Sequence, residues 1–444
     1  MKNKIRVIGG GLAGSEAAWQ AANRGVEIEL FEMRPHVSTP AHQTEYLAEL
    51  VCSNSLRSNS LENASGLLKE EMRRLDSLIV QCADATRVPA GIALAVDREA
   101  FSRKVTEMVE NHPRIEVRRE EVTSLDDNLA TIIATGPLTS SALSAEMARL
   151  TQGKYLYFYD AISPILYGDS IDMSTAFMGS RYGKGMDEGS EGDYINIGLS
   201  DREYQNFYED LLKGEKIPMR DFEKAIYFEG CLPLEEMASR GKDTLAYGPM
   251  KPVGIEHPES GETYHAVVQL RKEDLTGEYF SMVGFQTRLR YPEQKRIFQK
   301  LPALRDAKFL RYGSLHRNTY INSPRLIRKS FQLKRYPNIF IAGQLTGVEG
   351  YLESAATGLL AGIYASAMVN GEPVREAPAT SSLGALTQYI TRAPSKNFQP
   401  MNINFGLFPP LEKHAPKSER KMRIGERALK DLEPWRESVK SPAG

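Results

Sequence analysis

The chain has 444 residues, with 41% hydrophobic and 25% charged side chains and a formal net charge of −1, enough for two or so domains with complete cores. Its three cysteines, Cys52, Cys82 and Cys231, show no Cys-x-x-Cys spacing, which argues against a disulfide framework or a zinc ribbon, and no metal site is expected. No run of about 18 apolar residues calls for a membrane span, and the first strand starts within five residues of Met1, leaving no room for a signal peptide; the cytoplasm is the expected setting.

In chain order, the first element is the most telling. Ile5, Val7 and Ile8 read as a buried parallel strand, followed by Gly9-Gly10-Gly11-Leu12-Ala13-Gly14. In this GxGxxG pattern Gly9 gives a tight turn, Gly11 a close approach for a pyrophosphate, and Gly14 close packing of the next helix. The unpaired N–H groups and positive dipole end of that helix then face the phosphates. Val26–Phe31 reads as the second strand, and Glu32 at its end can accept from both hydroxyls of a ribose. A ligand-free, Gly-rich turn is the plain alternative; strand, helix and acid at this spacing favour a dinucleotide.

Downstream, Leu68, Met72, Leu75 and Ile79 recur at helical spacing, with Lys69, Glu70, Glu71, Arg73 and Arg74 outside, predicting one amphipathic helix over Ser65–Val80. A helix over Arg98–Asn111 and strands over Ile115–Arg119 and Ala130–Ile133 follow, the last running into Thr135-Gly136. From about Tyr155 to Arg328 the pattern changes to short aromatic strands and charged helices, read as an inserted unit. At Asn338 the first design returns: a strand, Gly343-Gln344, Gly350, then the small-residue helix Ser354–Gly358. Three separated strand-to-glycine units suit the extended FAD. The expected class is therefore α/β, with a discontinuous Rossmann-like FAD-binding domain over residues 1–154 and 331–444 and an inserted α/β substrate or RNA-binding domain over 155–330. Glu412–Lys440 predicts a solvated mixed-charge helix; Pro409-Pro410 and the last four residues are expected to be mobile.

Charge is segregated along the chain. Between Arg288 and Arg335 fourteen Lys or Arg face only Glu293 and Asp306, whereas Asp187–Glu236 is acid-rich. The basic stretch suits a phosphate polymer, a small polyanion or a solvated face. Arg288, Arg290, Lys295, Arg296 and Arg311, interleaved with Tyr291, Phe298 and Tyr312, are the first candidates for RNA contact; each aromatic could equally serve the core. The pattern leaves open an RNA-modifying flavoenzyme, a small-molecule flavin oxidoreductase, and an RNA-binding protein that keeps FAD for structure.

Seven segments together resemble one family. They are Gly9-Gly-Gly-Leu-Ala-Gly14-Ser-Glu, Leu50-Val-Cys-Ser-Asn-Ser-Leu-Arg57, Ala95-Val-Asp-Arg98, Phe228-Glu-Gly-Cys-Leu-Pro233, Gly284-Phe-Gln-Thr287, Tyr312-Gly-Ser-Leu-His-Arg-Asn318 and Ile341-Ala-Gly-Gln-Leu-Thr-Gly-Val-Glu-Gly350. They resemble the folate- and FAD-dependent tRNA uracil-5-methyltransferases, the TrmFO family, along nearly the whole chain. The resemblance implies conversion of the T-loop uridine, tRNA position 54, to ribothymidine. Carbon would come from 5,10-methylenetetrahydrofolate and electrons from reduced FAD, regenerated by NADH or NADPH. Partners would be tRNA and folate, with no membrane and no metal; the oligomeric state is not set by these features.

Uracil C5 is a poor nucleophile until a thiolate adds at C6, so the chemistry needs a cysteine. Cys231 lies in a Gly/Pro-flanked turn, Cys52 precedes Ser-Asn-Ser with Arg57 nearby, and Cys82 reads as a buried hydrophobe. Either of the first two fits; the resemblance gives Cys231 the attack and Cys52 the flavin-side role, with removal of the C5 proton. It also gives His316 the stacking of the pterin ring, and Arg317 can meet the folate glutamate or an RNA phosphate. Gln286, with Thr287, is a further polar candidate for the folate site.

Overall fold

The computed structural model describes residues 3–39, 41–151, 153, 155–183, 192–217, 232–412, 415–416 and 418–440, with 155–161, 315–318 and 397 described by backbone alone. Its central sheet is wholly parallel, in the order Ile339–Ile341, Thr131–Ile133, Lys4–Ile8, Glu27–Phe31, Ile115–Arg118. Consecutive residues Ile132 and Ile133, and Ile339, Phe340 and Ile341, are all buried, so both faces of the sheet are covered, as a parallel sheet requires. The first three strands in sequence run outward in one direction, and the chain then crosses back to set Thr131–Ile133 on the other side of Lys4–Ile8. The crevice at the carboxyl ends of those two strands is the topological switch point, where α/β sheets bind ligands. The fifth strand arrives only at Ile339, which makes this Rossmann-like unit discontinuous in sequence.

A second, antiparallel sheet runs Phe177–Gly179, Tyr194–Leu199, Ala266–Lys272, Tyr279–Met282, Ile165–Tyr167, Phe309–Arg311. It has its own core, in which Tyr204, Phe207 and Leu211 pack with Leu270, Phe285 and Phe298. The first three come from the helix Asp201–Lys213, whose start is fixed by a reciprocal Ser200–Glu203 capping box. An antiparallel ribbon, Tyr155–Ile162 with Ser314–Ile321, carries the chain into and out of this sheet. A small sheet of Ser55–Ser58, Ala93–Val96 and Arg87–Val88 backs the segment that follows Cys52.

Several expectations need correction. The single helix expected over Ser65–Val80 is two, Ala64–Arg74 and Leu78–Ala85. Asp76 has φ +54°, and Ser77 caps the second helix by accepting from the Val80 N–H at 3.3 Å, a side-chain competition for backbone groups that ends the first helix. Lys69 and Glu71, assigned to its outer face, are fully buried, because the helix is packed on more than one side. The tail helix, Arg420–Ser438, is not solvated all round: Ile424, Ala428, Leu432 and Trp435 are buried, and Arg74 pairs with Glu433 at 2.7 Å. Pro409 and Pro410 are tied down through their carbonyls, which accept from Arg427; residues 441–444 lie outside the described residues. The helix Tyr351–Val369 is long and apolar enough, by length and composition, to cross a membrane; its apolar character is accounted for by its place in the core, against Leu12–Ala22.

Candidate functional site

At the switch point the carboxyl ends of Lys4–Ile8 and Thr131–Ile133 nearly touch. Gly9 has φ +101°, and a Cβ built there would lie 2.7 Å from the Ala134 carbonyl oxygen, so only glycine serves. Gly14, one helical turn on, lies against the Gly9 carbonyl, and a side chain there would collide with it. Gly11 is different: a Cβ there would meet nothing within 4 Å. It borders the cleft, which is the open approach a pyrophosphate at the helix start needs.

The cleft is partly open to solvent and spans about 1060 Å³, open solvent included. Gly9, Gly11, Leu12 and Ala13 line it with Glu32, Thr135, Gly136, Gly343 and Gln344, so the three strand-to-glycine units converge on one space. Gly10 stands behind the rim, donating its N–H to Glu32 Oε2 at 2.9 Å. Burial favours the neutral acid of Glu32, but hydrogen bonds from Arg34, its charge and the Gly10 N–H outweigh this and hold the carboxyl below its usual range. An ionised carboxylate thus stands at the rim, ready to accept from ribose hydroxyls. Arg34, at 2.9 Å from Glu32 and 3.1 Å from Glu49, is occupied as a structural clamp. Burial and the Arg34 charge push His42, on the same wall, well below its usual range. An extended dinucleotide fits this donor set: open backbone at Gly11, a ribose acceptor at Glu32, and a second helix start across the cleft.

That second helix start carries the link to Cys52. Gly350, with φ +111°, leads into Tyr351–Val369 beside Arg57 and Glu353; it is next to the cleft lining, not part of it. The Tyr351 phenol oxygen accepts the N–H groups of Cys52 and Ser53 at 2.5 and 3.1 Å, and Tyr351 itself lines the cleft with Val51. Burial, with Cys52 nearby, pushes the phenol far up, so it remains a neutral acceptor. Arg98 donates to the Leu50 and Cys52 carbonyls and pairs with Glu273 at 2.6 Å. Arg311 donates to the Val51 and Cys52 carbonyls at 3.0 and 3.4 Å, and Arg271 reaches Ser53 Oγ at 2.7 Å. Three guanidiniums therefore hold the loop that carries Cys52. Two of them, Arg271 and Arg311, come from the antiparallel sheet, so the thiol sits where the two sheets' segments meet.

The other candidates divide by place. Cys231 lies outside the described residues, but the segment after it is seen: the Leu234 N–H donates to the Gln286 carbonyl at 2.7 Å, and Thr287 and Arg288 bind Glu235 and Glu236. Gln286 is thus a direct neighbour of the chain leaving Cys231. His316 and Arg317 stand on Ser314–Ile321 at register positions opposite Asp160 and Tyr159. Cys82 is buried inside Leu78–Ala85, and burial pushes its thiol up to about 12. Of the basic candidates, Arg296 pairs with Glu293 and Asp210 and Arg290 lies 3.7 Å from Glu215, while Lys295 is exposed. Arg311 belongs to the Cys52 loop rather than to their open face. Phe298 is a core residue.

Tyr351, Arg98 and Arg271 were not singled out by sequence. Arg98 closes the segment Ala95-Val-Asp-Arg98, and Tyr351 directly follows the last glycine motif, so both had a signal beside them without a role attached.

The model of the family described as glucose inhibited division protein A matches residues 4–373. The methylenetetrahydrofolate–tRNA-(uracil-5-)-methyltransferase TrmFO of Natranaerobius thermophilus is 56% identical over 430 residues, covering 97% of this chain and 98% of the relative. The protein of the same name from Geobacter sulfurreducens is 56% identical over 439 residues, covering 99% and 100%. The chain belongs to the TrmFO family. Among solved structures, Aquifex aeolicus GidA in its form I crystal superposes with a TM-score of 0.74 at 17% identity, over 100% of this chain and 77% of that one; its form II crystal gives 0.72 at 16%. At that identity the likeness establishes the fold, which is the α/β, Rossmann-like class with an insertion. The length difference is consistent too: TrmFO relatives match end to end, whereas GidA is the longer chain.

Proposed function

We propose that this chain methylates C5 of the T-loop uridine of tRNA, position 54, with carbon from 5,10-methylenetetrahydrofolate, FAD as resident cofactor, and NADH or NADPH as reductant, working in the cytoplasm. The observation that carries this is the 56% identity spread over 97% of the chain and 98% of the relative, which leaves no domain of either unmatched.

FAD would lie along the cleft, its pyrophosphate at Gly11 and the start of Leu12–Ala22, its ribose at Glu32, and its ring toward Gly343, Gln344 and Tyr351. When bound it supplies the electrons that take the transferred carbon to the methyl level. The remaining work falls to side chains. Cys231 adds to C6, which makes C5 nucleophilic, and leaves once the C5 proton has gone. Cys52, held by Tyr351, Arg98 and Arg311, supports the ring and takes that proton. His316 stacks the pterin, Arg317 meets the folate carboxylates, and Gln286 adds a polar contact beside the chain that leaves Cys231. Two separate apolar cores support dividing a cofactor unit, assigned to residues 1–154 and 331–444, from a substrate unit assigned to 155–330, although Tyr320, Ile321 and Ile327 at the end of that segment pack into the first core.

Purified protein incubated with unmodified tRNA, methylenetetrahydrofolate and NADPH should yield 5-methyluridine by mass spectrometry; its absence from an FAD-loaded sample would count against the reading. Cys231→Ala should also abolish the covalent adduct with 5-fluorouridine RNA, and an adduct that persists would move the nucleophile elsewhere.

A further inference from the structure

Three aromatic rings lie in one stack at the open edge of the antiparallel sheet. Tyr291 and Tyr312 have centroids 5.1 Å apart at 18°, and Tyr312 and Phe309 4.8 Å apart at 17°, so Tyr312 is the middle ring. Tyr291 is 53% exposed, and the other two are half-buried. Elsewhere in the same unit aromatic pairs take several geometries, Phe285 meeting Phe298 at 69° and Phe207 at 39° while Tyr204 and Tyr208 stack at 23°, all within what aromatics favour. What sets this stack apart is that its end ring, Tyr291, is more than half exposed among the described residues.

Cations flank the stack in sequence, with Glu215 and Glu293 also beside Arg290. Arg290 precedes Tyr291 and is exposed, its contact with Glu215 a long one at 3.7 Å between two exposed side chains. Lys308 precedes Phe309, is exposed, and its ammonium has no ion-pair partner among the described residues. Arg311, between Phe309 and Tyr312 in sequence, reaches back to the Val51 and Cys52 carbonyls. The stack is therefore one residue removed from the loop that carries Cys52. A protein-binding aromatic patch would have lysine depleted around it; an aromatic stack flanked by Arg and Lys matches single-stranded nucleic acid, with bases on rings and phosphates on cations.

We propose that Tyr291, Tyr312 and Phe309 form a stacking platform for an unpaired base of the RNA substrate, adjacent to the uridine that enters the reaction site. The inference rests on the tRNA reading above. A target uridine must leave its own stack for a thiolate to reach C6, and the neighbour it abandons regains a stacking partner on Tyr291. Arg290 and Lys308 then meet the phosphates on either side.

Steady-state methylation of a T-arm hairpin tests this with wild type, Tyr291→Ala, Tyr312→Leu and Tyr291→Phe, the flavin absorbance of each reporting folding. Tyr291→Ala and Tyr312→Leu should raise KM for RNA about fivefold or more with FAD content unchanged, the expected range for one lost base–aromatic stack, and Tyr291→Phe should keep the wild-type value. An abasic nucleotide beside the target uridine, on one side or the other, should erase the difference between wild type and Tyr291→Ala. If wild type forms 5-methyluridine while Tyr291→Ala keeps its KM within about twofold, below the weakest stacking loss expected, the platform is overturned alone. If wild type with FAD forms none, the tRNA reading falls and the platform with it.

Discussion

Lys69 and Glu71 stand two residues apart on one helix, both fully buried, and each is hydrogen-bonded to backbone. Lys69 Nζ donates to the Leu56 carbonyl at 2.7 Å; Glu71 accepts from the Ser382 and Leu383 N–H groups at 2.7 and 3.1 Å, at the start of the helix Ser382–Arg392. Burial pushes Lys69 down to about 7 against the opposing pull of Glu353, and pushes Glu71 up to about 7 against those N–H groups. The consequences for stability have opposite slopes. Between 4.5 and about 7 the folded chain keeps a proton on Glu71 that the unfolded chain has lost, so stability falls as pH rises. Between about 7 and 10.5 the folded chain has released the Lys69 proton that the unfolded chain still holds, so stability rises with pH. The urea midpoint of the FAD-loaded protein should therefore dip near neutrality. Lys69→Met should remove the rise on the alkaline side and Glu71→Gln the fall on the acid side; a wild-type midpoint flat through this range, or unchanged slopes in both variants, would refute the assignment.

At the scale of elements, the cofactor end depends on two helices in backbone contact. A side chain on Gly358 would collide with the Ala13 carbonyl, and a Cβ on Gly362 would sit 2.5 Å from the Ala17 oxygen, so Tyr351–Val369 lies directly on the helix that starts at Gly11. Gly358→Val would force the two apart, at a cost of about 1–3 kcal/mol or more, and move both helix starts that face the cleft. It should lower the melting temperature and leave the purified protein short of FAD, whereas Gly425→Ala, where the nearest atom is 3.9 Å from a new Cβ inside the helix Arg420–Ser438, should raise the melting temperature. These glycine units were legible in sequence because their requirement is local: a turn, a close approach, a helix start. The break at Asp76-Ser77 was hidden because Leu75 and Ile79 keep the helical period across it. The docked tail helix was hidden by the charges around its four apolar positions. Tyr351 was out of reach for another reason, since its contact with Cys52 joins residues 299 apart and only the assembled fold supplies it.

Over the whole molecule, the charge segregation seen in sequence is largely folded against itself. Arg288 meets Glu236, Arg290 faces Glu215, and Arg296 and Lys300 share Asp210, so the acid-rich segment 187–236 neutralises part of the basic segment 288–335. A count of fourteen cations in sequence therefore overstates the field an RNA would meet, because a cation already paired releases few counterions when a phosphate replaces its carboxylate. Lys295 and Lys308 are exposed, with no ion pair among the described residues. On binding tRNA, each of these two, replaced by Ala, should reduce the slope of log affinity against log salt by roughly one. Arg296→Ala should leave that slope nearly unchanged, since Asp210 keeps Lys300 and Glu293 takes water in place of the guanidinium. The reverse change sharpens the test: Asp210→Asn with Glu293→Gln frees Arg296 and Lys300 together, and the slope should steepen. Should Arg296→Ala flatten it as much as Lys295→Ala, the pairs do not hold in solution and the basic segment acts as the undivided surface its composition describes.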